Sequence, residues 1–198
     1  MRARGRWLLV GVGCGLCPFP GAKGTGVYPI HEPSIESYNP ASISTPDQRQ
    51  ECRRVVSLML AKSEDEREAF RTPLDRLSLS GRRGRTVDRH LDVGIALEAV
   101  LAFGDQTKTD IGYRLRVRAA RFLGGTLDER RGIAERVKKL YQRRSTIGHG
   151  EDLAKAKSLE EAERRWQELT RDRVLVARVI MRALEKGIPD WETFDLEG

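Results

Sequence analysis

Apolar residues recur at helical spacing along most of the chain, and nowhere do they alternate with polar ones for the length of a strand. Between 87 and 103, Leu91, Val93, Ile95, Ala96, Leu97, Val100, Leu101 and Phe103 cover nearly every side of a helix, which predicts a segment at the centre of a bundle. A helix over 109–123 opens near Thr109 and stops at the C-cap pair Gly124-Gly125. The next begins near Thr126 or Asp128 and reaches 148–150, where Gly148 and Gly150 end it. Another, over 158–186, opens at Ser158 with Glu161 in capping-box position and closes at Gly187 with Pro189 behind it. Upstream, Thr45-Pro46-Asp47-Gln48 has the order of a helix start, and Val55, Val56, Leu58, Met59 and Leu60 give that helix an apolar side before it frays after Lys62. Residues 63–86 are polar and basic and contain Pro73, Gly81 and Gly84, so they read as an irregular connection with at most one short helix. The expected fold is all-α, a bundle of four to five helices without an internal repeat.

This pattern divides the chain into a Gly/Pro-rich leader (1–46), a helix plus polar connection (47–86), the helical bundle (87–187) and a C-terminal tail (188–198). The leader holds six of the eight prolines and a dense run of glycines, a composition that neither sustains a helix nor fills a core. Its Gly-x-Gly pairs at 11–13 and 24–26 lack the strand, the helix and the Gly-Lys-Ser/Thr that a phosphate loop requires. Arg2, Arg4 and Arg6 followed by Trp7-Leu8-Leu9-Val10 have the outline of a short signal peptide. The run is diluted by glycine and no small-x-small cleavage site follows, so the expectation is a cytoplasmic protein with an irregular leader. Cys14-x-x-Cys17 is half of a zinc ribbon, but Cys52 and His31 stand at the wrong spacing to complete it. No metal or other cofactor is expected, and the three cysteines read as free thiols.

Composition narrows the class further. Of 198 residues, 39% are hydrophobic, 33% charged and only 6% aromatic, which suits a Leu/Ala/Arg-rich helical domain better than a β-sandwich. No run of uncharged apolar residues is long enough to span a membrane. The formal charge is +7, and it is concentrated. Between Lys108 and Arg144 twelve basic residues face four acids, a local excess of +8 on the two helices 109–123 and 126–150. Such a surface favours phosphate backbones through counterion release, and an ordinary solvated Arg-rich face has the same composition.

Two features inside these helices bear on chemistry. His149 follows Arg143-Arg144-Ser145-Thr146-Ile147-Gly148, so an imidazole sits beside a guanidinium at a helix end. Arginine can grip a phosphate with two N–H donors and histidine can move a proton near neutral pH. On a straight helix, residues five apart lie about 140° apart with roughly 7.5 Å of rise, so Arg144 and His149 do not share one face. A break at Gly148, a curled Arg144 or a second copy of the helix would reconcile them, the last implying a two-fold site. The other feature is Glu98, a lone carboxylate in the apolar run Ile95–Leu101, which is costly to bury unless a cation such as Arg118 or Arg144 meets it. His31 has no notable neighbours, and His90 reads as a surface or boundary residue.

Taken together, Ile95-Ala96-Leu97-Glu98, the run Tyr113-Arg114-Leu115-Arg116-Val117-Arg118-Ala119-Ala120-Arg121-Phe122-Leu123-Gly124, and Val137-Lys138-Lys139-Leu140-Tyr141-x-x-Arg144-Ser145-x-x-x-His149-Gly150 resemble the Apea-like HEPN domains over roughly residues 85–150. The resemblance implies a HEPN-like helical bundle that dimerises through the helices carrying the Arg-x4-His motif. Many such domains are metal-independent endoribonucleases in defence, toxin or RNA-processing systems. Arg144 would then neutralise and orient the scissile phosphate, and His149 would serve as acid or base while the ribose 2′-hydroxyl attacks to leave a cyclic phosphate. Ser145 would be a polar contact, Glu98 and Arg118 would orient Arg144 or His149, and Tyr141 would pack the motif helix or line the cleft. Arg114, Arg116, Arg121, Lys138, Lys139 and Arg143 would bind RNA. The implied partners are RNA, a second copy of the chain, and an antitoxin or larger defence-system protein. Gly148 stands where the family often has a larger residue. The alternative is a non-catalytic HEPN module binding RNA, a nucleotide or a protein. A helix-turn-helix DNA binder around Gly124-Gly125 lacks a polar recognition face, and its second helix is too long.

Overall fold

The computed structural model describes residues 46–107, 109–149 and 158–197, and among these the regular structure is entirely helical. Seven helices are formed: α1 (Pro46–Leu60), α2 (Glu64–Arg82), α3 (Thr86–Leu101), α4 (Ile111–Leu123), α5 (Leu127–Gly148), α6 (Leu159–Lys186) and α7 (Trp191–Leu196). Residues 1–45 of the Gly/Pro-rich leader, with Cys14, Cys17, His31 and Thr45, lie outside the described residues, as do Lys108 and Gly150, whereas Pro46 opens α1. None of the described helices is long and apolar enough to cross a membrane.

As its apolar pattern demands, α3 is the centre: Val93, Ala96, Leu97, Val100 and Leu101 are fully buried. They pack with Leu115, Ala119 and Phe122 of α4, Val137 and Leu140 of α5, and the stripe Leu169, Val176, Val179, Ile180 and Ala183 of α6 in one core. The ends of α5 and α6 follow from local chemistry. Thr126 caps α5 in a capping box with Glu129, Ser158 accepts the Glu161 N–H to start α6, and Gly187 ends α6 at φ 86°, a left-handed conformation costly for other residues.

Two expectations about the elements are corrected. Residues 63–86 contain the full helix α2 rather than an irregular connection. A Ser63–Glu66 capping box starts it, and Phe70, Pro73, Leu77 and Ser80, spaced three or four apart, form a narrow buried stripe on an otherwise polar helix. Pro73 sits inside α2 and is itself buried. The C-terminal tail likewise holds α7, whose Trp191 is buried, donates its indole N–H to the Val100 carbonyl at 2.9 Å, and meets Phe122 and Phe194 edge to face. With α2 and α7, the described residues hold seven helices where the pattern gave four to five.

Charge enters the interior in pairs. Asp92 of α3 accepts from Arg76 and Arg83, each at 3.0 Å. Asp172 of α6 is held by Arg136 and Arg143, two turns apart on α5. Arg118 of α4 donates to Asp105, Asp195 and the Leu101 carbonyl at 2.6–3.1 Å. Burial opposes the charge of Asp105, but the Thr107 N–H and the Arg118 and Arg114 guanidiniums outweigh it and hold its pKa at about 2.

Candidate functional site

The site at the end of α5 is assembled by a close helix approach. Gly94 of α3 lies against the side chain of Arg144, so closely that a Cβ at this position would stand 2.5 Å from Arg144 Cγ. The missing side chain lets the arginine stem cross α3 and carry its Nη2 to 3.0 Å from Glu98 Oε2, one helical turn further along α3. Of the two cations considered for Glu98, the structure selects Arg144. The pair is neither sealed nor fully solvated, with side-chain exposures of 30% and 26%. The Nε of Arg144 and the Oε2 of Glu98 are both buried without a hydrogen-bond partner, so the two meet as an ion pair and not as an aligned hydrogen bond, and the guanidinium is positioned by its stem and by the opposite charge.

From there α5 runs unbroken through Gly148, where a Cβ would make only an ordinary contact with Arg144 Nη1, at 3.8 Å. His149 is the C-cap: its backbone N–H donates to the Ser145 carbonyl at 3.0 Å, and the residue is exposed. The helix thus does not break between the two motif residues, and the rise and rotation of an intact helix apply to them. Ser145 is half-buried and contributes its carbonyl to this cap. Tyr141 packs its ring on Gly112 of α4, where a Cβ would lie 2.9 Å from the ring, so it fixes α5 against α4.

The remaining sequence-selected residues separate into engaged and free groups. Arg118 is buried in its knot with Asp105 and Asp195, which corrects the expectation that it orients Arg144 or His149. Three of the six residues selected for RNA contact are also held by side chains of other elements. Arg114 pairs with Asp105 at 2.6 Å, Arg121 lies over the Phe194 ring, and Arg143 is held by Asp172. Arg116 is half-buried over the Tyr113 ring, while Lys138 and Lys139 are exposed, the latter only 3.9 Å from Glu135. Much of the +8 excess is therefore compensated by acids from elsewhere in the chain, namely Asp105, Asp172 and Asp195.

His90, expected at the boundary, is buried. Burial first, and then the positive Arg143 and Arg165, push its pKa down to about 4, so the imidazole is neutral at physiological pH. The residue that sequence reasoning missed is Gly94. A glycine inside an apolar helix costs about 1 kcal/mol against alanine, and that anomaly was the available signal for a close approach.

Among the described residues no group of three or more His, Cys, Asp or Glu side chains is placed to share a metal ion. A cleft of about 780 Å³ opens between the start of α2, the α3–α4 loop and α7, and neither Glu98, Arg144 nor His149 lines it. Comparison of the chain with protein-family models, with curated proteins and with solved structures finds no match.

Proposed function

We propose that the chain is a metal-independent endoribonuclease of the HEPN type, acting as a homodimer in which Arg144 and His149 of two copies form a composite site. The observation that carries this reading is the brace near the end of α5, where Glu98 and Gly94 position the Arg144 guanidinium on a helix that ends in an exposed His149. A guanidinium restrained in this way loses little freedom when its outer N–H groups take the non-bridging oxygens of a phosphate. The separation of about 140° around an intact helix supports a second copy completing the constellation.

In this reading the ribose 2′-oxygen forms a bond to phosphorus as His149 of one copy takes its proton. The bond to the 5′-oxygen breaks, and an imidazolium delivers a proton to that leaving group. The products are a 2′,3′-cyclic phosphate and a 5′-hydroxyl. Arg144 stabilises the charge that accumulates on the phosphoryl oxygens. Lys138, Lys139 and Arg116 guide the strand.

The test is RNA cleavage by the purified chain in EDTA, with wild type beside His149→Ala and Arg144→Ala and with product ends mapped. Wild type is expected to cut and leave cyclic phosphate ends, and both variants to lose cutting while keeping the wild-type circular dichroism. No cleavage of several RNAs by a folded dimer, confirmed by light scattering, would move the reading to a non-catalytic binding module.

A further inference from the structure

Trp166 of α6 is 47% exposed, although Leu169 and Arg173 on the same side of the helix are buried. The other described tryptophan, Trp191, is buried with its indole N–H bonded, so the open ring at 166 is not how this fold ordinarily uses the residue. One part of the ring is occupied: Arg89 Cζ lies 5.0 Å from its centroid. Arg89 is fixed in turn, since its Nε donates to the Arg83 carbonyl in the turn between α2 and α3. The result is an aromatic surface held by a guanidinium, with little rotamer freedom left to lose on contact with a ligand.

Its location follows from the helix register. Arg136 and Arg143 of α5 reach Asp172 of α6, while Arg178 acts on Glu129 at the start of α5. The two helices therefore run antiparallel, and the part of α6 preceding Asp172 lies beside the end of α5. Asp172 meets both Arg136 and Arg143, so it is level with the stretch between them, and Trp166 stands roughly 9 Å further toward the end of α5. Trp166 is thus level with the last turns of α5, before His149. Both signs of charge surround it: Arg143 and Arg165 bear on His90, next to Arg89 in sequence, while α6 itself carries Glu160, Glu161, Glu163 and Glu168, of which Glu161 is paired with Arg165 and Glu163 accepts from the neutral Gln167.

We infer that Trp166, backed by Arg89, is a stacking platform for an unpaired nucleobase of a single-stranded nucleic acid whose backbone passes the end of α5. The inference rests on RNA being the ligand of the Arg144–His149 site, and it deepens that reading by assigning the substrate class as unpaired strand. An aromatic face accepts any base, so the contact confers preference for single strands without strong sequence selection. A guanidinium behind the ring keeps cations away from it and suits a polyanion passing in front.

The test uses the full chain and a short 2′-deoxy oligonucleotide of mixed sequence, which offers bases and phosphates but no 2′-hydroxyl to attack. Binding is read by tryptophan fluorescence and by anisotropy of a labelled strand. Wild-type fluorescence is expected to be quenched. Trp166→Ala should lose that quenching and weaken binding by about 5- to 150-fold, the range for removing one base–aromatic stack. Trp166→Phe should lose the fluorescence signal yet keep most of the affinity, which separates stacking from a folding defect. Wild-type binding left unchanged in Trp166→Ala would overturn the platform while the RNA reading stood. Failure of wild type to bind this strand or RNA would overturn both. A dimer that becomes monomeric in Trp166→Ala would make the ring a contact between copies and overturn the platform.

Discussion

Placing a methyl group at Gly94 is the sharpest perturbation of the site that leaves its chemistry untouched. Two effects oppose each other. Alanine in place of glycine inside a helix gains about 1 kcal/mol from propensity. At position 94, however, the new Cβ would stand 2.5 Å from Arg144 Cγ and 2.7 Å from its Cβ, so α3 and α5 must separate or the arginine stem must leave. Overpacking of this kind costs about 1–3 kcal/mol, and losing a half-exposed ion pair adds at most about 1 kcal/mol. Gly94→Ala is therefore expected to be destabilising by about 0–3 kcal/mol. Gly132→Ala is the control, because this glycine lies in α5, is exposed, and its Cβ would meet nothing within 4 Å. It should stabilise by about 1 kcal/mol, a Tm rise of about 2–4 °C for a chain of this size. Thermal denaturation followed by circular dichroism separates the two. Truncating the obstacle with Arg144→Ala should make Gly94→Ala behave like the control. If Gly94→Ala raises Tm as much as Gly132→Ala in the presence of Arg144, the close approach and the brace built on it are wrong.

Other expectations follow from the buried charges. The pKa of His90 is about 4 in the folded chain and about 6.5 when unfolded, so between these values the unfolded chain binds the extra proton. His90 thus costs nothing above pH 6.5 and lowers stability progressively down to about pH 4, by about 3 kcal/mol in full. Urea midpoints between pH 7 and 4.5 should fall less in His90→Gln than in wild type, and an identical fall would refute the assignment. Asp172→Asn leaves the guanidiniums of Arg136 and Arg143 without their carboxylate and should destabilise by about 3–5 kcal/mol, read by urea denaturation. Asp128→Asn, at an exposed pair with Arg131, should change stability by less than about 1 kcal/mol in the same assay. Trp191→Ala removes a buried ring and its bond to Val100, with an expected loss of about 3–5 kcal/mol, whereas a dispensable tail would show none.

The elements legible in the sequence were those whose side chains answer to the helix itself. The largely apolar circumference of α3 and the caps at Ser158 and Gly187 are local signals, and the structure has them where the pattern puts them. The α2 helix was hidden because its buried stripe is only one residue wide and includes Pro73, so the polar majority dominated the pattern. Short α7 was hidden because six residues, fewer than two turns, are too few to show a period, and its stability comes from Trp191 meeting Phe122 and Val100 far away in the chain.

The arginines show where local reading ends. Arg118 and Arg144 both occupy helices in a basic stretch, and nothing within a turn of either distinguishes a fully buried cation from a part-exposed one. The distinction is made by partners remote in sequence. Asp105 and Asp195 occupy Arg118 with two carboxylates and bury it, while Glu98 alone engages one end of Arg144 and leaves it a third exposed. Arg143, adjacent to Arg144, points to the other side of α5 and is consumed by Asp172. Sequence charge therefore overstated the field that a polyanion would meet on α4 and α5. The usable part is the subset left after the acids of α6, α7 and the α3–α4 loop have taken theirs. That subset includes Arg116, Lys138, Lys139, the outer face of Arg144 and His149, and it is the surface on which the proposed cleavage stands.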